Sequence, residues 1–218
     1  MARIHSHNNF FVFTAALIVL LLCSAVVSSL PEGSHHRLLQ AVLILSQLVA
    51  YFSLNLSRQW RRFVLIMLLG MLLANGLREF SDGAMASLSS LFVYMLFLLG
   101  MIWAGARQAL LATGIEANTI AGAVAVYLLL GLLWTTLYLL TLEVWPQAFH
   151  GIDYRNWNDN FGQLAYFSFI TMTTVGYGDI SPGIPITRVL AYLQAIVGTF
   201  YMAVVVAGLI GALGRREP

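Results

Sequence analysis

The sequence predicts an all-α membrane protein with six transmembrane helices and a re-entrant helix and loop between the fifth and the sixth. The first observation is composition: 60% of the 218 residues are hydrophobic and only 9% are charged, which is more apolar than a typical soluble domain. The second is a series of six long uncharged runs. The third is a further uncharged segment, from Asn160 to Gly178, that contains the glycines and hydroxyl residues of an open loop.

A bilayer core about 30 Å thick needs roughly 20 apolar residues in a helix. Six uncharged runs meet or approach that length: Phe10 to Leu30, Leu38 to Ser57, Phe63 to Leu77, Gly83 to Ala106, Ala117 to Leu142 and Val189 to Gly214. The third run has 15 residues and rises only about 22 Å, so we expect either that Arg62 or Arg78 extends toward the membrane surface or that the helix is packed among its neighbours. The first run also has features of a signal peptide, but its 21 uncharged residues favour a retained helix.

The arginines lie unequally on the two sides of these spans. Seven fall on the side of the N-terminus and four on the other, so the positive-inside rule places both termini in the cytoplasm. The seven are Arg3, Arg58, Arg61, Arg62, Arg107, Arg215 and Arg216. We therefore expect a multi-pass protein of the cell (inner, cytoplasmic) membrane, surrounded by membrane lipids.

Several function classes have no support in the sequence. The formal charge of +2 is spread along the chain, which gives no indication of nucleic-acid binding. The sequence shows no paired carboxylates, no nucleophile with its base and no nucleotide-binding loop, so we expect neither enzyme activity nor a cofactor. The functional residues are therefore expected in the uncharged segment between the last two spans.

That segment has the lengths of a re-entrant loop. Gln163 to Met172 is predicted to form a short helix, capped by Asp159 or Asn160, which carries the chain about 15 Å into the membrane. Thr174 to Gly178, extended at about 3.3 Å per residue, returns a similar distance. Non-helical backbone at membrane depth is tolerated only where it is buried in protein or lines an aqueous path. The sequence therefore predicts a pore.

The run FGQLAYFSFITMTTVGYGDISP, Phe161 to Pro182, resembles the tetrameric potassium channels. Their filter signature stands unchanged at Thr174, Val175, Gly176, Tyr177 and Gly178. The resemblance covers the final hundred residues, whereas the first four helices match only in number and order, in the manner of six-helix, voltage-sensor-bearing bacterial channels. In a soluble protein the same residues would indicate a turn between strands, but the apolar setting disfavours that interpretation.

The resemblance implies a homotetramer with potassium ions as the permeant ligand. Residues 112–218 would form the pore domain, and residues 1–111 a four-helix, voltage-sensor-like domain. Backbone carbonyls of Thr174, Val175, Gly176 and Tyr177, together with the Thr174 hydroxyl, would replace the water around each ion. We expect positive φ at Gly176 and Gly178, which lets successive carbonyls face one axis.

Other residues are assigned supporting roles. We expect Val175 and Tyr177 to pack the loop against its own helix, with Tyr166 and Phe167 behind them. Asp179 is a further filter support, but Ile170 stands where some channels carry a bracing glutamate, so Asp179 must find another partner or stay solvated.

Gly198 in the last span has two interpretations. It matches the family's hinge glycine, so the resemblance makes it a candidate gating hinge. A small residue for close helix packing explains it equally well.

The fourth span contains no arginine, and Arg107 stands alone at its cytoplasmic end. Sensing relatives carry arginines at every third position of that helix. We therefore expect a potassium-selective channel that is insensitive or only weakly sensitive to voltage. The alternative is a non-conducting or regulatory subunit of a potassium channel or transporter. A four-loop transporter is disfavoured because this chain has one such loop.

Overall fold

The computed structural model describes residues 9–28, 35–53, 58–80, 84–110 and 117–213. These residues form seven α-helices and one two-stranded ribbon. In chain order the elements are α1 (Asn9–Ser28), α2 (His35–Ser53), α3 (Arg58–Phe80), α4 (Ala84–Leu110), α5 (Ala117–Val144), β1 (Phe149–His150), α6 (Trp157–Met172), β2 (Ser181–Pro182) and α7 (Pro185–Leu213). Apart from the ribbon the fold is all-helical. Arg3, Arg215, Arg216 and the predicted boundary at residues 111 and 112 lie outside the described residues.

Within these ranges, three helices are long and apolar enough to cross a membrane: Ser87–Gln108 in α4, Ala117–Val144 in α5 and Pro185–Val205 in α7. Phe10–Val26 and Leu38–Phe52 are shorter apolar helices. The third run differs from its prediction, because α3 has 23 residues and a length of about 34 Å. Arginine is a good helix former, so the arginines that limit the uncharged run do not end the helix.

Contacts between helix ends show how the first helices are arranged. The backbone N–H of Phe10, at the start of α1, donates to Oδ1 of Asn118 at the start of α5, 3.0 Å away. Trp60, near the start of α3, stacks on Trp103 near the end of α4, with ring centroids 5.1 Å apart. Helix α1 therefore runs parallel to α5, and α3 runs antiparallel to α4.

The last helices are fixed in the same way. In the first turn of α7, Oγ1 of Thr187 donates to the carbonyl oxygen of Ala148, just after α5, at 3.0 Å. Further along α7, the hydroxyl of Tyr201 donates to the carbonyl oxygen of Ala123 in the second turn of α5, at 2.6 Å. Helix α7 therefore lies antiparallel beside α5. Helix α6 contacts both of them.

The ribbon lies beyond the end of α5. β1 pairs with β2 in antiparallel fashion, with Phe149 opposite Pro182. Gly151 follows β1 with a φ of 81°, and a Cβ there would overlap the carbonyl oxygen of Asp179. Only glycine has both the positive φ and the space. The ribbon and this close approach attach the segment after α5 to the segment that follows the predicted filter.

One hydrophobic core extends through the described helices. It includes Phe13 of α1 and Leu98 of α4, continues through Leu132 and Leu139 of α5, and reaches Phe161 of α6. Helix α5 is thus the central element, in contact with α1, α4, α6 and α7. This position makes α5 the base on which α6 rests.

Candidate functional site

Helix α6 is longer than the sequence predicted. It begins at Trp157 and is capped by Asn156, whose Oδ1 accepts from the backbone N–H of Asn158 at 3.5 Å. The predicted helix over Gln163 to Met172 therefore starts too late. The predicted caps, Asp159 and Asn160, lie inside the first turn. With 16 residues, the helix is about 24 Å long.

Asn160 is not the cap because its side chain closes the preceding loop. Its Oδ1 accepts from the backbone N–H of Arg155 at 2.8 Å, and its Nδ2 donates to the carbonyl oxygen of Asp153 at 3.0 Å. The side chain is buried. It therefore holds residues 153–155 against the first turn of α6.

Glu143 joins the end of α5 to the start of α6. Its Oε1 accepts from the backbone N–H of Trp157 at 2.9 Å, and its Oε2 accepts from the hydroxyl of Tyr154 at 3.2 Å. Partial burial, with the neighbouring carboxylate, raises the pKa of the Tyr154 phenol. The phenol therefore stays protonated and remains a hydrogen-bond donor near neutral pH. Glu143 thus holds both Tyr154 and Trp157 at the start of α6.

The loop after α6 turns its amides back toward the helix. Four successive N–H groups donate to carbonyls in the last turn: Thr173 to Phe169 at 3.0 Å, Thr174 to Thr171 at 3.0 Å, Val175 to Ile170 at 2.9 Å and Gly176 to Ile170 at 3.2 Å. The last carbonyls of a helix have no partner within the helix. The amides of residues 173–176 supply those partners.

The backbone of the loop alternates in φ. Thr174, Gly176 and Gly178 have φ of 60°, 51° and 83°, whereas Val175 and Tyr177 between them do not have positive φ. The expectation for the two glycines is confirmed. Thr174 was not predicted to join them, because a β-branched residue rarely adopts positive φ. Alternation of this kind turns successive N–H groups toward one side and leaves the carbonyls on the other.

The carbonyl oxygens of residues 174–177 accept no hydrogen bond from any described residue. Val175 and Tyr177 are also exposed in the single chain, at 52% and 74%. The amides of Thr174, Val175 and Gly176 already attach the loop to α6. That the two side chains pack the loop against its helix stays a prediction.

The three predicted filter supports lie in different surroundings. The side chain of Tyr166 interacts with the carboxylate of Asp179, so Asp179 has a partner although Ile170 cannot provide one. Phe167 is buried and packs edge-on against Tyr138 and Phe149, with centroids 5.0 and 5.4 Å apart. The structure thus places Tyr166 beside the loop exit and Phe167 in an aromatic cluster. A supporting role in conduction stays a prediction for all three.

Gly198 lies where α7 crosses the end of α6. A Cβ on Gly198 would overlap both the carbonyl oxygen and the side chain of Met172, the last residue of α6. Helix α7 continues through this position without interruption. Of the two interpretations of Gly198, close packing thus has a direct contact behind it, and the gating hinge stays a prediction.

Arg107 is the only arginine of α4, which extends over Ala84–Leu110. It lies in the last turn and is exposed, with its guanidinium carbon 5.4 Å from the ring centroid of Trp103. Arg107 is thus the one basic residue of α4, one position before the end of the apolar span Ser87–Gln108.

With this geometry in place, comparison with known proteins gives one match. Residues 123–215 match a protein-family model described as "Ion channel". The match supports an ion channel family. It covers less than half of the 218 residues, from α5 through α6, the loop and α7. No curated protein and no solved structure matches the chain.

The match bears on several expectations at a general level. It supports ion channel function and ion transport, and with the apolar helices it supports a membrane protein. Such a family also suggests a protein that is not an enzyme.

The close approach at Gly198 leads to a testable expectation. Gly198→Ala should lower the stability of the folded protein in detergent by about 1–3 kcal/mol, because the new methyl group meets the backbone of α6. Gly208→Ala is the matched control on the same helix, since a Cβ there meets nothing within 4 Å. Thermal unfolding followed by tryptophan fluorescence compares them. Equal melting temperatures for the two variants would contradict the packing interpretation.

Proposed function

We propose that this protein is a potassium-selective channel that conducts K⁺ passively across the cell membrane as a homotetramer. The observation that supports this most directly is the loop at residues 174–178. The amides of Thr174, Val175 and Gly176 bond back to α6, the φ angles of the loop alternate in sign, and its carbonyls accept nothing within the described chain. Such carbonyls are available to an ion, and they lie within the segment that matches the ion channel family.

The chemistry of the loop suits potassium. An ion leaves water only where a ring of oxygens replaces its hydration shell. The carbonyls of Thr174, Val175, Gly176 and Tyr177 would form four such rings when four chains meet, and the Thr174 hydroxyl would add oxygens at the inner end. The carbonyl end of α6 carries partial negative charge, which adds to the attraction of a cation.

We further propose that all six long helices, α1 to α5 and α7, span the membrane with both termini in the cytoplasm. The stacking of Trp60 on Trp103 brings the start of α3 and the end of α4 together, so the arginines at those ends lie on one side. Arg155 follows the end of α5 and Arg188 lies in the first turn of α7, which we place on the opposite side of the membrane. This distribution agrees with a cytoplasmic side rich in arginine.

In this proposal, residues 112–218 are the pore domain and residues 1–111 a voltage-sensor-like domain that lacks sensor arginines. The voltage-sensor-like domain then acts through packing, since α1 and α4 both lie against α5.

Potassium selectivity is tested by flux from liposomes that contain the purified protein. We expect K⁺ to pass and Na⁺ to be excluded. Tyr177→Asp should admit Na⁺, because a carboxylate binds the smaller ion and disturbs the uppermost rings. Trp145→Asp places the same charge on another exposed aromatic residue outside the loop and should leave selectivity unchanged. An assembled wild-type protein that passes no K⁺ would favour the non-conducting subunit instead.

Fourfold assembly is the second expectation. One chain provides one strand of each oxygen ring, and its Val175 and Tyr177 side chains are uncovered. The lipid- or partner-facing side of α7 is also apolar and exposed, including Tyr192, Ile196 and Phe200 at 54%, 48% and 67%. Native mass spectrometry from mild detergent should give a tetramer as the main species. A conducting monomer or dimer would refute the proposal.

Voltage insensitivity is the third expectation. A charge that crosses the full field contributes about 2.3 kcal/mol per 100 mV, and α4 offers a single arginine, Arg107, at the end of its apolar span. Conductance in planar bilayers should therefore change little with voltage, and Arg107→Gln should not alter that. A steep sigmoidal activation equivalent to several elementary charges would show that the four-helix domain senses voltage after all.

A further inference from the structure

A chain of buried hydrogen bonds joins α5, α6 and α7 behind the loop. The hydroxyl of Tyr138 donates to Oε1 of Gln194 at 2.6 Å. Nε2 of Gln194 donates to the carbonyl oxygen and to Oγ of Ser168, at 2.9 and 2.7 Å. Oγ of Ser168 in turn donates to the carbonyl oxygen of Gly131 at 2.7 Å. The side chains of Tyr138, Ser168 and Gln194 are all 0% exposed.

Every polar group of these three side chains has a partner. The amide of Gln194 uses its oxygen toward α5 and its nitrogen toward α6, and each hydroxyl donates once. Burial of such groups is unfavourable unless they are hydrogen-bonded, and apolar side chains of similar size would hold three helices together without that requirement. The network adds geometric specificity, because a fully satisfied polar network specifies one arrangement of its helices.

The arrangement it specifies is that of α6. The two residues after Ser168 are Phe169 and Ile170, whose carbonyl oxygens accept hydrogen bonds from the loop amides. A small rotation or axial shift of α6 at Ser168 therefore moves the acceptors of the loop. Gln194 connects Tyr138 of α5 with Ser168 of α6, so its loss interrupts the network in the middle.

We propose that Gln194 is a positioning residue that fixes the depth and rotation of α6 and, through it, the carbonyls of residues 174–177. The effect of Gln194 on conduction rests on the proposed function, whereas its effect on the position of α6 does not depend on that function. Helix α7 thus takes part in selectivity through a side chain that does not reach the ion pathway.

The test is Gln194→Leu, which keeps approximate volume and removes the donors and the acceptor. Hydrogen–deuterium exchange of the amides of Thr173 to Gly176 should accelerate about tenfold, because α6 is released and the hydroxyl of Tyr138 loses its partner. In the same preparation, the ratio of K⁺ to Na⁺ flux from liposomes should fall.

Gln47→Leu is the matched control. Gln47 is also 0% exposed, with its Nε2 3.0 Å from Sδ of Met71, but it joins α2 to α3 and takes no part in the network behind the loop. Its Oε1 has no partner among the described residues, so its replacement controls for removal of a buried amide from the helices in general. We expect unchanged exchange at the loop amides and an unchanged flux ratio.

Gln194→Glu gives a second readout if the leucine variant fails to fold. The new carboxyl has the same shape and can accept from Tyr138, but it can donate to Ser168 only while protonated. Burial raises the pKa of a carboxyl. Exchange protection and selectivity, each relative to wild type at the same pH, should therefore be retained at low pH and lost as pH rises through that pKa.

The outcomes separate the two proposals. If the wild-type tetramer passes no K⁺, the proposed function fails, and the exchange comparison still decides the role of Gln194. If the wild type is selective and Gln194→Leu behaves like Gln47→Leu in both measurements, the positioning role is refuted and the proposed function stands. A Gln194→Glu variant with no pH dependence relative to wild type would equally refute it.

Discussion

The amides of Thr174, Val175 and Gly176 bond to the last turn of α6, and the carbonyls of residues 174–177 accept no hydrogen bond within the described chain. In an apolar environment each backbone N–H needs a partner, and a short open loop has few to offer. The last turn of α6 solves this, since its carbonyls would otherwise be unpaired. Ile170 accepts from both Val175 and Gly176. The site thus depends on where α6 ends, and much of the surrounding structure fixes that end.

Several contacts fix α6 along its length. Glu143 and Asn160 hold its first turn, Phe167 packs into the aromatic cluster at its middle, and Gly198 allows α7 to touch its last residue. Helix α5 contributes Glu143 and Tyr138 to these contacts and is itself packed by α1 and α4. Removal of the four-helix part would therefore expose one side of the element on which the loop rests.

Some of this could be predicted from the sequence, because it depends on local chemistry. Positive φ at Gly176 and Gly178 follows from the freedom of glycine, whereas Thr174 obeys the alternation against its own preference. The start of α6 was misplaced because the asparagines and aspartate near it offer several caps, and only tertiary hydrogen bonds show that Asn160 is engaged elsewhere. Tyr166 and Phe167 are adjacent, yet helix geometry turns them about 100° apart, so only one meets Asp179.

The ribbon between β1 and β2 affects how the loop behaves between its two attachments. Met172 holds one end against α7, and the ribbon with Gly151 holds the other. A segment of this length whose two ends are both attached samples few conformations, because its ends are already held together in the folded structure. Short loops close within about 10–100 ns. A distortion of the loop by a passing ion, or by an ion position that is briefly empty, is therefore expected to reverse locally. This reversal should be far faster than any rearrangement of the helices around the loop.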